Sequence, residues 1–437
     1  MEHFDVVIVG AGPAGFNAAK TVKELYPEKR LLVINDRKEL QTPCSIPWVV
    51  AGKISPRENA YPLERVREFG ELLVERAVSV EPSTQRVFTE TKGFTYEKLI
   101  IATGWRPRVL NLKNQEVKGV YYIDTSTQRV KELQEKVKEA EKIVLIGGGL
   151  ISIGFADAIA SNLKKEVTIL EAAEQIAPGA LSREFSLKAE EGLKALGVRV
   201  LKGTKATGLK GEGRVTGVET SRGELPADLV LIFAGFLPNS RLAVEAGIRV
   251  KEGFIEVDDY LRTSADGVLA AGNCALHTCP VTGREIPAMF ASVSARDGRV
   301  AGINTTGPEV KGKATVTAGM TQVNGELFGF TGYTEEALLK EGIEFKSVKV
   351  KTADAYPKAI GAKEIEVEAL FSKEGRLIGL QARGRSRAVW AVIEAAARLI
   401  EEGATAKDIV SKVSPAFPTA TPSPLLQPIQ EAALKCF

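Results

Sequence analysis

At ~100–200 residues per domain, a chain of 437 residues has room for several domains. Hydrophobic residues make up 44% and charged ones 26%, so real cores can form and a disordered class is excluded. The net charge is only +3, no stretch approaches ~18 consecutive apolar residues, and Met1-Glu2-His3-Phe4-Asp5 lacks a basic segment leading into an apolar one. We therefore expect no nucleic-acid partner, no membrane span and no secretion signal, hence a cytoplasmic protein.

The first elements in chain order form a strand–turn–helix–strand unit. Phe4–Val9 reads as an apolar strand that runs into Gly10-Ala11-Gly12-Pro13-Ala14-Gly15. Phe16–Leu25 follows as a helix and Leu31–Ile34 as a second strand. Leu99–Ala102 is another apolar strand, ending at Thr103-Gly104. The opening arrangement then returns: strand Lys142–Ile146, Gly147-Gly148-Gly149-Leu150-Ile151-Ser152, an Ala-rich helix to Ser161, and strand Val167–Leu170 ending at Glu171. One glycine motif of this kind is weak evidence, but two, each between a strand and a helix, indicate a duplicated nucleotide-binding unit. Strands Leu229–Phe233, before Gly235, and Gly267–Ala271, before Gly272-Asn273, extend the doubly wound α/β pattern. After about residue 308 the pattern changes. Ile365–Phe371 and Leu377–Gln381 read as a hairpin around Glu374-Gly375, followed by helix Arg387–Glu401. The Pro-rich tail is expected to stay non-helical until after Pro428.

Each glycine of the first loop has its own task. Gly10 permits the tight turn, Gly12 lets backbone approach a pyrophosphate, and Gly15 allows close helix–strand packing, with Pro13 and Ala14 opening the helix. An acidic residue is expected at the end of the second strand to meet ribose hydroxyls; the candidates are Asn35 and Asp36, the latter one place late. In the second loop Gly147 and Gly149 match, while Ser152 takes the third glycine's place. Glu171 suits a carboxylate on the ribose 2′ and 3′ hydroxyls. No Lys or Arg follows directly to pair with a 2′-phosphate, so NADH is expected in preference to NADPH.

Together, Gly10–Gly15, Ala102-Thr103-Gly104, the central Gly147-Gly148-Gly149 and Gly235 with Pro238-Asn239 resemble the pyridine nucleotide–disulfide oxidoreductase family over nearly the whole chain. The resemblance implies an α/β protein with two doubly wound nucleotide-binding domains, for FAD and NADH, plus a C-terminal α+β dimerisation domain. It places FAD at residues 1–110 and 265–307, NADH at 111–264 and the dimerisation domain at 308–437, in a homodimer. Gly272 and Asn273 would meet the flavin's ribityl chain, where the family usually has an aspartate. Pro287 would open a helix, Ala288–Asn304, whose N-terminal dipole faces the reduced flavin. The family often has Glu near the nicotinamide where this chain has Gly154.

In the same family, the segment Thr42-Pro43-Cys44-Ser45-Ile46-Pro47-Trp48 carries a redox-active cysteine. No second cysteine lies near Cys44, and the tail has Ser414-Pro415 instead of His-Pro, so dithiol chemistry is not expected. The chain is most similar to the single-cysteine group: coenzyme A-disulfide reductases, persulfide reductases and NADH oxidases. The implied reaction is NADH-dependent reduction of a small disulfide, persulfide or polysulfide through Cys44, with coenzyme A as a possible ligand. Pro13 stands where peroxidases carry a histidine, and Phe417-Pro418 replaces a Tyr-x-Pro phenol for which Tyr356 is a substitute candidate. Lys20, Lys23 and Arg65 are candidates for coenzyme A phosphates, against a plainer role as solvated charges. The alternatives are a peroxide-forming NADH oxidase using oxygen, and a flavin-binding electron-transfer or scaffold protein. Cys274, Cys279 and Cys436 are read as incidental, an acid–base role for His277 stays open, and with only His3 and His277 present no metal is expected.

Overall fold

The computed structural model describes residues 1–356 and 361–437. They form two compact units, the first from Met1–Gln41, Ala60–Arg108 and Phe236–Thr317, the second from Thr42–Asn59, Val109–Gly235 and Ala318–Phe437.

In the first unit the strand Glu2–Val9 lies between Leu31–Asn35 and Gly93–Ile101, all parallel, with Val7 opposite both Leu32 and Leu99. Val268–Ala270 joins along the far half of Gly93–Ile101. These strands are buried on both faces: Val6, Val7, Ile8, Leu99 and Ile100 are fully buried, at ~1.5–3 kcal/mol for each large side chain. The helices Pro13–Leu25 and Ala291–Asn304 pack closely together. Gly298 makes this possible, since a Cβ there would stand 2.1 Å from the Ala14 carbonyl oxygen.

In the second unit a parallel sheet runs Arg199–Leu201, Glu166–Leu170, Lys142–Ile146, Leu229–Ile232, Val120–Tyr122. A separate five-stranded antiparallel sheet carries the expected hairpin, Glu364–Ser372 with Leu377–Gly384, at its centre, and helix Ala388–Glu401 packs on it. The final helix, Pro428–Leu434, starts at the proline expected to free the chain for helix.

Three expectations need correction. Residues 236–264, expected with the second nucleotide unit, pack with the first. Phe236–Pro238 pairs with Trp105–Pro107, and Leu242, Ala243, Ile248 and Ile255 enter the same core as Val7. Residues 42–59, expected with the first unit, pack with the second: Ile46, Val49 and Val50 are buried, and the Gln134 amide donates to the Val49 carbonyl at 2.6 Å. Pro287 does not open its helix, which begins at Ala291. The strand Glu285–Ile286, paired with His277–Thr278, holds the chain extended just before that proline.

Candidate functional site

In the first unit, Gly10 sits at φ +102°, and a Cβ on it would stand 2.3 Å from the Ala102 carbonyl oxygen. A Cβ on Gly15 would stand 1.8 Å from the Gly10 carbonyl oxygen. Gly12, which caps the helix Pro13–Leu25, has open space where a Cβ would be. Two crowded glycines around one open one leave bare backbone N–H groups at a helix start, the geometry a pyrophosphate needs. The loop edges a cleft of about 810 Å³ whose lining includes Asn35, Asp36, Arg76, Thr103 and Asn239. Thr103 donates its hydroxyl to the Asn239 carbonyl at 2.5 Å, and Asn239 returns Nδ2–H to the Thr103 carbonyl at 3.0 Å. The residues read from Thr103-Gly104 and Pro238-Asn239 thus lock to each other.

The duplication sets Asn35 and Asp36 in different places. Gly10 N–H bonds the Ile34 carbonyl as Gly147 N–H bonds that of Leu170. Asn35 Oδ1 accepts from Ala11 N–H at 3.0 Å, and Glu171 Oε2 accepts from Gly148 N–H at 2.6 Å. Asn35 therefore stands where Glu171 stands in the second copy, and Asp36, half-exposed near Arg37 and Arg76, is one place beyond.

At the far end of the cradle, Gly272 (φ +79°) is pressed against Ala14 and Ser294. Asn273 is buried and accepts the Ser294 hydroxyl at 2.6 Å. His277 is fully buried and donates to Asp297 at 2.7 Å, so it has no access to solvent for acid–base work. Cys274 and Cys279 are buried, and Cys274 Sγ approaches the carbonyls of Ile101 and Ala271.

In the second unit the loop repeats the pattern. Gly147 (φ +102°) abuts the Phe233 carbonyl, and Gly149 caps the next helix with open space beside it. Ser152 is buried, and its hydroxyl has no partner among the described residues. Glu171 is held by Gly148 N–H and by Ala173 N–H at 2.7 Å. Gly235, at φ +92°, has open space where a Cβ would be. Arg222 was missed by sequence reading, because it comes from a turn far along the chain. Its Nη2 lies 2.7 Å from the point where a Gly203 Cβ would stand, with Glu174 Oε1 at 2.6 Å from the same point. Gly203 N–H bonds the Ala173 carbonyl, so a cation does reach the acidic loop after Glu171.

Cys44 lies on the short turn Pro43–Ser45, in this second unit, before the helix Ile46–Val50. Ser45 Oγ donates to Asn59 Oδ1 at 2.6 Å and Asn59 Nδ2 to the Thr42 carbonyl at 3.2 Å, bracing the turn. Pro47 Cγ lies 3.8 Å from the point where a Gly154 Cβ would stand, so the cysteine's helix packs on the glycine loop's helix. Cys44 is exposed, yet enough protein surrounds its sulfur that burial pushes the thiol up from its ordinary value. Ile46 also lines a cleft of about 610 Å³ with Tyr121, Arg129 and Lys136.

The other proposed ligands have local partners: Lys20 pairs with Glu24, Lys23 donates to the Pro27 carbonyl, and Arg65 pairs with Glu68. His3, Asp5 and Glu97 come together, but Lys29 bridges the two carboxylates at 3.2 and 2.9 Å.

The family described as pyridine nucleotide-disulphide oxidoreductase matches residues 4–298, and its dimerisation domain matches residues 320–424. The NAD(P)H coenzyme A polysulfide/persulfide reductase of Pyrococcus horikoshii is 32% identical over 415 residues, 92% of this chain and 92% of that protein. The NADH oxidase of Methanocaldococcus jannaschii is 25% identical over 397 residues, 87% of this chain and 88% of that one. Among solved structures, the NAD-dependent persulfide reductase from A. fulgidus has a TM-score of 0.90 at 28% identity, over 99% of this chain and 82% of its own.

Proposed function

The chain belongs to the pyridine nucleotide-disulphide oxidoreductase family, and from that premise we propose that it uses NADH to reduce a small persulfide, polysulfide or coenzyme A disulfide through Cys44. It is a flavoprotein oxidoreductase taking FAD and NAD(P)H. The residues present fit both groups: Gly12 and Gly149 open onto free space at helix starts, and Glu171 keeps lone pairs for ribose hydroxyls. Asn35, Thr103 and Asn273 would hold FAD, and Gly149 and Glu171 would hold NADH. FAD, when bound, would supply the two-electron carrier between NADH and the sulfur acceptor.

Cys44 does the covalent work. Its thiolate attacks the outer sulfur of a persulfide or disulfide, an S–S bond forms on Cys44 as the substrate's own breaks, and the leaving thiolate takes up a proton. Two electrons and one proton then release the captured sulfur as sulfide or thiol and restore the Cys44 thiolate. The observation that carries this reading is an exposed Cys44 on a braced turn, in the unit that also holds the Gly147–Glu171 cradle. Oxygen-linked NADH oxidation, forming peroxide, is the second reading, favoured by the raised Cys44 thiol and by the M. jannaschii relative. We place the enzyme in the cytoplasm as a homodimer, its four cysteines free; among the described residues no helix is long and apolar enough to cross a membrane.

The test is one NADH assay with coenzyme A disulfide, polysulfide, glutathione disulfide and oxygen as acceptors, on wild type and Cys44→Ser. Sulfur reduction should vanish in the variant; sulfur turnover that survives the substitution refutes the reading.

A further inference from the structure

We propose that His277 and Asp297 are positioning residues: a buried clamp that fixes the Gly272-Asn273 backbone and, through it, the glycine loop that cradles FAD. The inference rests on the reading of that loop as the FAD site and goes beyond it by assigning a role to a pair outside the loop.

Both side chains are fully buried. Asp297 Oδ2 accepts from two donors, His277 Nε2 at 2.7 Å and the Gly272 backbone N–H at 3.0 Å. Oδ1 accepts from Arg296 Nη2 at 2.7 Å, and Arg296 is itself tied to the Ala314 carbonyl at 2.9 Å. His277 Nδ1 is buried without a partner among the described residues, which assigns the ring proton to Nε2, facing the carboxylate. Every acceptor position used on Asp297 thus faces a donor from a different segment: the strand His277–Thr278, the Gly272 turn and its own helix.

The turn so held is the one that touches the cradle. A Cβ on Gly272 would stand 2.9 Å from Ala14 Cβ, and Ala14 directly follows Gly12-Pro13 in the loop. On the same helix as Asp297, Ser294 holds Asn273 and Gly298 lies against the Ala14 carbonyl. Losing the His277 hydrogen bond leaves a buried carboxylate short of a donor, and such a group re-seeks partners by moving. Gly272, whose N–H shares Asp297 Oδ2 with His277, is the backbone such a shift reaches first.

The experiment measures FAD binding to apoprotein by quenching of flavin fluorescence, for wild type, His277→Leu, His277→Gln and Asp297→Asn. NADH binding to the second unit serves as the internal control. Leucine fills the space but cannot donate, so FAD should bind roughly tenfold or more weakly, the effect of one charge-assisted hydrogen bond. Glutamine places an amide N–H where Nε2 was and should return affinity to within about threefold. Asp297→Asn should also weaken FAD, with NADH affinity unchanged in every variant. The clamp is overturned if Leu and Asn variants bind FAD as wild type does, or if Gln is as weak as Leu, or if FAD and NADH affinities fall together. Wild-type apoprotein that binds no FAD brings down the cradle reading itself, an outcome distinct from any failure confined to the variants.

Discussion

The two glycine loops pack differently at their third matching position, Gly15 in one and Ser152 in the other. In the first, Gly15 leaves no room for a Cβ, 1.8 Å from the Gly10 carbonyl oxygen; in the second, Ser152 is accommodated at the matching place. Gly15→Ala should therefore cost about 1–3 kcal/mol as an over-packed site and yield a colourless protein, read by flavin absorbance and by Tm, whereas Ser152→Ala should lose neither. At Cys44 the sign of the pH dependence follows from its raised thiol. The reactive thiolate grows with pH until the shifted value is passed, so kcat/KM for the sulfur acceptor should climb roughly tenfold per pH unit below it; a flat profile across neutral pH counts against thiolate supply as the limit. Arg222 qualifies the expectation of NADH preference drawn from Glu171. With that guanidinium beside Glu174, Arg222→Ala should lower kcat/KM for NADPH by about tenfold, one charge-assisted phosphate contact, with NADH unaffected. A ratio that stays constant would show that the arginine does not act on the nucleotide.

Elements buried on both faces were the most legible in the sequence, because an unbroken apolar run bounded by glycine has few other readings. Lys142–Ile146 forms as read, and Glu2–Val9 and Leu31–Asn35 differ only at their ends. Allegiance was harder: Leu242, Ala243 and Ile248 announce burial but not in which core, and Ile46, Val49 and Val50 have the same ambiguity. The placement of candidate residues inside a strand–turn–helix was likewise legible, while that of Asp297 and Arg222 was not, since each meets a segment distant in sequence. The strand Glu364–Ser372 has a consequence of its own. Glu368 is buried opposite Gln381, and burial pushes its carboxyl up despite Lys349 at 3.4 Å. A folded value above the unfolded one means that stability present at acid pH is lost as pH rises through and above the ordinary carboxylate range. Glu368→Gln should remove that loss, raising Tm at neutral pH and flattening its fall between mildly acidic and neutral buffer; a lower Tm with an unchanged slope would show that the Lys349 contact outweighs burial.

For the molecule as a whole the question is what covers its apolar tail. Scattered exposed hydrophobics are ordinary on a protein surface, but here Val413 is 96% exposed, Leu425 80% and Phe417 62%, all within one terminal stretch. That stretch is held in place: Tyr356 N–H bonds the Pro418 carbonyl, and Thr352 Oγ1 donates to the Leu426 carbonyl at 2.7 Å. Side chains presented on a pinned backbone lose little entropy when covered, so their burial counts nearly in full. Most of the stretch falls within the match to the family's dimerisation domain, and a second copy of the chain is the occupant that match implies. In a two-fold dimer each residue is buried twice. At ~1.5–3 kcal/mol for a large apolar side chain, removing Phe417 and Leu425 together withdraws four such contributions, enough to dissociate an ordinary dimer at micromolar concentration. Phe417→Asp combined with Leu425→Asp should therefore convert a dimer of wild-type chains to monomers in light scattering, with FAD and NADH still bound. A wild-type chain that is already monomeric would leave the tail to some other cover and remove the dimer from the account.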